Sequence, residues 1–93
     1  MFENEKELYI EVLKGKEIAR ENLYENSLPY LYGICKRYSI DEEDIDDVLQ
    51  ETYIKIFNNI NKFKWTGTGS FCAWIRTICI NRAIDPVSYT HLA

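Results

Sequence analysis

The sequence predicts an all-α fold, a compact three- to four-helix bundle, on three observations. Apolar residues recur at three- and four-residue steps through most of the chain, the period of a helix with one buried face. Start and stop signals at Gly15, residues 39–44, Ser70 and Pro86 cut that pattern into segments of helical length. No stretch alternates apolar and polar residues in the manner of a strand, and there is no internal repeat.

The first helix is expected over residues 5–16, where Leu8, Ile10, Val12 and Leu13 carry the apolar face and Gly15 supplies a stop. A longer helix follows over residues 18–38, with Leu23, Tyr24, Leu28, Leu31, Ile34, Cys35 and Tyr38 at helical steps. Pro29 interrupts it, because proline lacks an amide hydrogen and its ring crowds the preceding turn. The reading is a bend there or a restart at Ser27. Residues 39–44 form the next start signal: Ser39 and Asp41 are N-cap candidates, and acids follow in the first turn. The third helix carries Ile45, Val48, Leu49, Tyr53, Ile56, Phe57 and Ile60 on one stripe and fades around residues 58–61. Residues 63–70 read as a loop from their glycines and their lack of apolar period. Ser70 then caps a last helix that turns Phe71, Trp74, Ile75 and Ile78 inward, reaches Asp85 and is stopped by Pro86.

Composition bounds the function. Ninety-three residues with 46% hydrophobic content build one modest domain without staples. A formal charge of −4 argues against a protein that simply coats nucleic acid, so any such binding must come from a local patch. The acidic opening has no apolar run, hence no signal peptide or membrane anchor, and nowhere do eighteen apolar residues run together. The expected compartment is the cytoplasm. Cys35, Cys72 and Cys79 form no CxxC pair. Cys72 and Cys79, seven apart, share a helix face as metal or redox work would need, but a zinc site calls for further ligands, and all three read as small buried hydrophobes. No metal or cofactor is expected. No enzyme reading stands either: there is no GxxxxGK[ST] phosphate loop and no Cys–His pairing, and the carboxylates look solvated.

The informative feature is a reversal of charge. Residues 41–51 (DEEDIDDVLQE) hold seven carboxylates and no Lys or Arg. Residues 62–84 (KFKWTGTGSFCAWIRTICINRAI) hold four cations, no carboxylate and both tryptophans. This pattern points to two partners on one small domain, a protein for the acidic helix and a nucleic acid for the basic, aromatic, Gly-containing segment.

The runs LYENSLPYLYGICKRY, DEEDIDDVLQETYIKIFNNINKF and GTGSFCAWIRTICINRAID together resemble region 2 of a bacterial RNA polymerase sigma factor. The narrower resemblance is to the extracytoplasmic-function (ECF) group of the sigma-70 family, over residues 8–85. It implies a sigma factor for transcription initiation that binds core RNA polymerase and promoter DNA, with an anti-sigma factor as a further partner common in the group. The helix matching residues 44–60 would pack on the clamp coiled coil of the β′ subunit, with Asp47, Gln50 and Glu51 as contacts that pair with partner arginines. The acids at 41–44 read instead as a solvated helix start complementing the dipole.

The loop and last helix would open the promoter −10 element and hold its non-template strand, with a flipped base captured by residues 64–70. Gly67 and Gly69 let backbone approach a base, and Thr66, Thr68 and Ser70 can hydrogen-bond its edge. Lys62, Lys64, Arg76 and Arg82 would neutralise phosphates, and Asn81 falls on a motif position linked to −10 recognition. Trp65 either stacks on an exposed base or closes the loop over Phe63. Thr77 is either a base or phosphate contact or a plain solvent-facing threonine.

The competing reading is a protein-binding helical module, an adaptor or sigma decoy that occupies polymerase without reading DNA; it has no use for Asn81 and the cations. A duplex-binding helix-turn-helix repressor fits less well, because its recognition helix would carry more polar base-reading residues than Trp-Ile-Arg-Thr-Ile-Cys-Ile. The domain is expected over residues 1–85. Residues 86–93 read as an atypical tail, expected to be disordered or an artefact of the gene model, and with no segment matching the helix-turn-helix region 4 of a full sigma factor the expectation is a fragment.

Overall fold

The structure, a computed structural model, describes residues 2–85; the expectation about the tail at 86–93 lies outside them. Four helices follow in order: α1 (Glu5–Leu13), α2 (Glu17–Arg37), α3 (Glu42–Asn59) and α4 (Ser70–Ala83), with one 3₁₀ turn (Ile60–Lys62) extending α3. Among the described residues there is no strand. The all-α bundle anticipated from the apolar periodicity is the fold observed.

Helix ends follow local chemistry, in one case other than expected. Gly15, at φ 81°, ends α1: its amide bonds Val12 O and that of Lys16 bonds Glu11 O. The same pair of bonds ends α2, from Ser39 to Lys36 O and from Ile40 to Cys35 O, with Ser39 at φ 59°. Ser39 is therefore the left-handed terminator of α2 rather than the cap of α3. Asp41 is the residue before α3 as expected, although its side chain makes no capping bond.

Of the two readings for Pro29, the restart at Ser27 does not occur: α2 runs without a break from Glu17 through Pro29 to Arg37. Ser27 is fully buried and donates to Leu23 O at 2.6 Å, the back-bond of a mid-helix serine. Its oxygen also lies 2.6 Å from the Tyr53 hydroxyl of α3.

The core gathers one stripe from each helix: Val12; Leu23, Leu31 and Ile34; Ile45, Val48 and Ile56; Phe71, Ile75 and Cys79. The α4 helix touches each of the other three, so its position is set by the whole bundle. Phe71, fully buried, is ringed by Phe2, Tyr9, Phe63 and Trp74 with centroids 5.4–6.0 Å away. Those aromatics pin the start of α4 and the beginning of the preceding loop onto α1.

Candidate functional site

The acidic surface belongs to α3. Asp47, Gln50 and Glu51 are all exposed, and their spacing places them on one side of α3. Gln50 and Asp46 rim an apolar groove of about 890 Å³ between α2 and α3, floored by Leu28, Leu49 and Tyr53. Tyr24 and Ile54 line it while 46% and 54% exposed. Arg20 lies over the Phe57 ring at 5.0 Å. The sequence reading missed this groove. Its signal was Ile54, an apolar residue off the buried stripe of α3.

The acids of the helix start are not all idle. Glu42 accepts from Lys36 Nζ at 2.6 Å and from the Tyr32 hydroxyl at 3.1 Å, joining the end of α2 to the start of α3. The Lys36 ammonium, then the phenol, hold the Glu42 carboxyl below its ordinary value.

The loop before α4 is built from inside. Gly67 and Gly69 have φ of 133° and 92°, open to glycine and strained for other residues. A side chain there would meet no neighbour, so conformation rather than space calls for glycine. Ser70 does not cap α4: it is the first helical residue, and its hydroxyl donates to Gly67 O at 2.7 Å while accepting from the Thr66 amide at 3.3 Å. The cap comes from α1. Glu5, only 9% exposed, accepts from the Gly69 amide at 2.6 Å and the Cys72 amide at 2.8 Å. A carboxylate at a helix N-terminus satisfies orphan amides and meets the positive end of the dipole. No local motif announces Glu5, which lies 64 residues from Gly69.

Trp65 is half-buried and stacks on Tyr9 at 6.1 Å with an 18° interplanar angle. It closes the loop over Tyr9, whereas Phe63 turns to Tyr9, Phe71 and Trp74. Lys62, Lys64, Thr66 and Thr68 are exposed, and their side chains have no partner among the described residues. On α4, Arg76, Thr77 and Asn81 are exposed along one stripe, with the Thr77 hydroxyl donating to Ala73 O at 2.9 Å.

Arg82 stands apart from the other cations. Its side chain is 15% exposed and Nε donates to Glu51 Oε2, so the residue expected on phosphate and the residue expected on polymerase hold each other. Of the four cations in residues 62–84, Lys62, Lys64 and Arg76 remain outside any ion pair among the described residues.

The cysteines behave as packing groups. Cys35 and Cys79 are buried and Cys72 is half-buried. Contact with the Cys35 thiol and burial push the Cys79 thiol up, and burial pushes Cys72 up, away from the reactive thiolate. Among the described residues no group of His, Cys, Asp and Glu could hold a metal, and no helix is long and apolar enough to cross a membrane.

Two comparisons with known proteins find a match. The ECF RNA polymerase sigma-E factor of Haemophilus influenzae (strain ATCC 51907 / DSM 11121 / KW20 / Rd) is 37% identical over 51 residues. That stretch is 55% of this chain and 25% of the relative, so the match spans about a quarter of its length. No solved structure matches significantly. The family model for Sigma-70 region 2 matches residues 23–90, which include most of α2 and all of α3, the loop and α4. The chain thus belongs to the sigma-70 region 2 family, of the ECF-like kind.

Proposed function

We propose that this domain binds core RNA polymerase through α3 and its groove, and that the 64–70 loop with the exposed stripe of α4 holds the non-template strand of the promoter −10 element. The observation that carries the reading is the division of labour in the loop. Its scaffold is bonded internally through Ser70, Gly67 and Glu5, while the side chains of Lys64, Thr66 and Thr68 stand exposed with no partner among the described residues. Hydroxyls can meet the polar edge of a flipped base, Lys62, Lys64 and Arg76 can meet phosphates, and Asn81 offers both a donor and an acceptor to a base edge. Opening the duplex then needs no covalent step. A domain that binds the single strand better than the pair shifts the equilibrium by its difference in affinity.

The polymerase contact rests on Asp47 and Gln50, which are exposed beside an apolar groove suited to a helical partner carrying arginines, as the β′ clamp coiled coil would be. Such a role places the protein's work in the cytoplasm. Co-purification with bacterial core polymerase tests it, wild type beside Asp47→Ala/Gln50→Ala, with circular dichroism confirming the fold. The double variant should weaken retention about tenfold or more. A folded wild-type chain that is not retained overturns the proposal. The complex is then offered a randomised pool of single-stranded DNA, and Asn81→Ala or Lys64→Ala should reduce what it holds. Retention on polymerase with no strand selection is the decoy's signature.

A further inference from the structure

The Glu5 carboxylate bridges two amides of a segment more than sixty residues away, one in the loop that precedes α4 and one in its first turn. It is almost fully buried, in a chain whose other carboxylates lie mostly at the surface. The rest of the α4 start is held by Ser70, whose hydroxyl and amide both bond Gly67 O, and by the Ala73 amide on Gly69 O. Gly69 is thus fixed on its carbonyl side by α4 and on its amide side by α1 alone. Gly67 and Gly69 both sit at positive φ, where glycine has the widest choice of alternatives and the loop the most entropy to lose.

We propose that Glu5 is a positioning residue for base capture, fixing the Gly67–Thr68–Gly69 turn so that Thr66 and Thr68 present their hydroxyls in one geometry. The proposal rests on the single-strand reading above. It also narrows that reading, because the Gly69 amide and the Ser70 hydroxyl are already engaged and do not serve a base. The reading groups of the loop are then Thr66, Thr68 and the side chain of Lys64. A loop that populates its competent geometry for only a fraction of the time binds more weakly by that fraction. Loss of both Glu5 bonds, the equivalent of losing a strong helix cap, lowers the competent fraction about tenfold.

Two measurements on Glu5→Ala, with wild type in parallel, decide the matter. The first is amide hydrogen exchange of the free chain, where residues 67–73 should exchange about tenfold faster and α2 and α3 should not change. The second uses the chain bound to core polymerase and a randomised single-stranded DNA pool, sequenced after retention. The preference at the captured base should fall about tenfold, with retention of the protein on polymerase unaltered. Should Glu5→Ala lose helicity, Glu5→Gln takes its place; it keeps the length and one accepting oxygen and should give an intermediate loss. Unchanged exchange at 67–73, or faster exchange with an unchanged base preference, overturns the positioning role while leaving the sigma reading intact. A wild-type complex that selects no strand overturns the sigma reading and the positioning role with it.

Discussion

The hydroxyl of Tyr53 lies 2.6 Å from Ser27 Oγ in the buried seam of α2 and α3. Ser27 spends its one proton on Leu23 O, so the phenol donates to the serine. Burial pushes the Tyr53 phenol up to about 12 from its ordinary 10.0. The folded state therefore keeps a proton that the unfolded chain has released between those values. Stability is fully present below about pH 10 and falls as pH rises toward 12, by roughly 2–3 kcal/mol for a shift of that size. Tyr53→Phe should remove this share of the alkaline loss. Near neutral pH the same variant should cost only about 1 kcal/mol, because Ser27 keeps its bond to Leu23. Urea unfolding at pH 7 and pH 11 measures both, and identical alkaline losses in the two proteins would refute the assignment. Nothing in the local sequence marks this pair: Ser27 beside Pro29 has the look of a helix start, and only a partner 26 residues away reveals it as a buried bridge.

Helix ends show where local chemistry is legible and where it is not. Gly15 announces the end of α1, because glycine is the usual occupant of the left-handed terminator. Ser39 fills the same role for α2 at φ 59°, and a serine before an acidic run reads as the start of the next helix instead. Left-handed backbone costs a non-glycine residue about 1–2 kcal/mol, partly offset by the greater chain entropy that glycine loses on folding. Ser39→Gly should therefore raise stability by up to about 1 kcal/mol, and Ser39→Val should lower it; thermal unfolding followed by circular dichroism gives both signs. Pro29 presents the converse case. It lies exposed inside a continuous α2, so Pro29→Ala restores an amide bond and should stabilise by roughly 1–3 kcal/mol. A loss would show that α2 needs the proline's shape to pack on α3. The apolar steps located all four helices because burial period is a local property. The α4 cap escaped because Glu5 reaches it from α1, and a helix whose local sequence offers Ser70 as its cap has another supplied by tertiary structure.

Across the whole molecule, the reversal of charge was legible while its internal pairing was not. Reading along the chain counts Arg82 with Lys62, Lys64 and Arg76, and Glu51 with Asp47 and Gln50. Folding brings α3 against α4 and joins Glu51 to Arg82. The guanidinium is mostly buried, with Nη1 finding no hydrogen-bond partner among the described residues, whereas the Glu51 side chain is 54% exposed. Solvent screening on the glutamate side keeps the pair's worth modest, but removing Glu51 strands a largely buried cation, so Glu51→Gln should destabilise by about 1–2 kcal/mol. The consequence for nucleic acid is a difference in salt dependence. Each phosphate neutralised on a single strand adds about 0.7 to the slope of log affinity against log salt, because a condensed counterion is released. Lys64 is free to make that contact, and Lys64→Gln should lower the slope by about 0.7. Arg82 is already neutralised by Glu51, so Arg82→Gln should leave the slope unchanged even as it weakens the fold. Salt titrations of single-stranded DNA binding by the polymerase-bound chain separate the two. An Arg82→Gln slope that falls as far as that of Lys64→Gln would mean that DNA breaks the Glu51 pair on binding, placing Arg82 among the phosphate contacts and freeing Glu51 for the polymerase at the same moment.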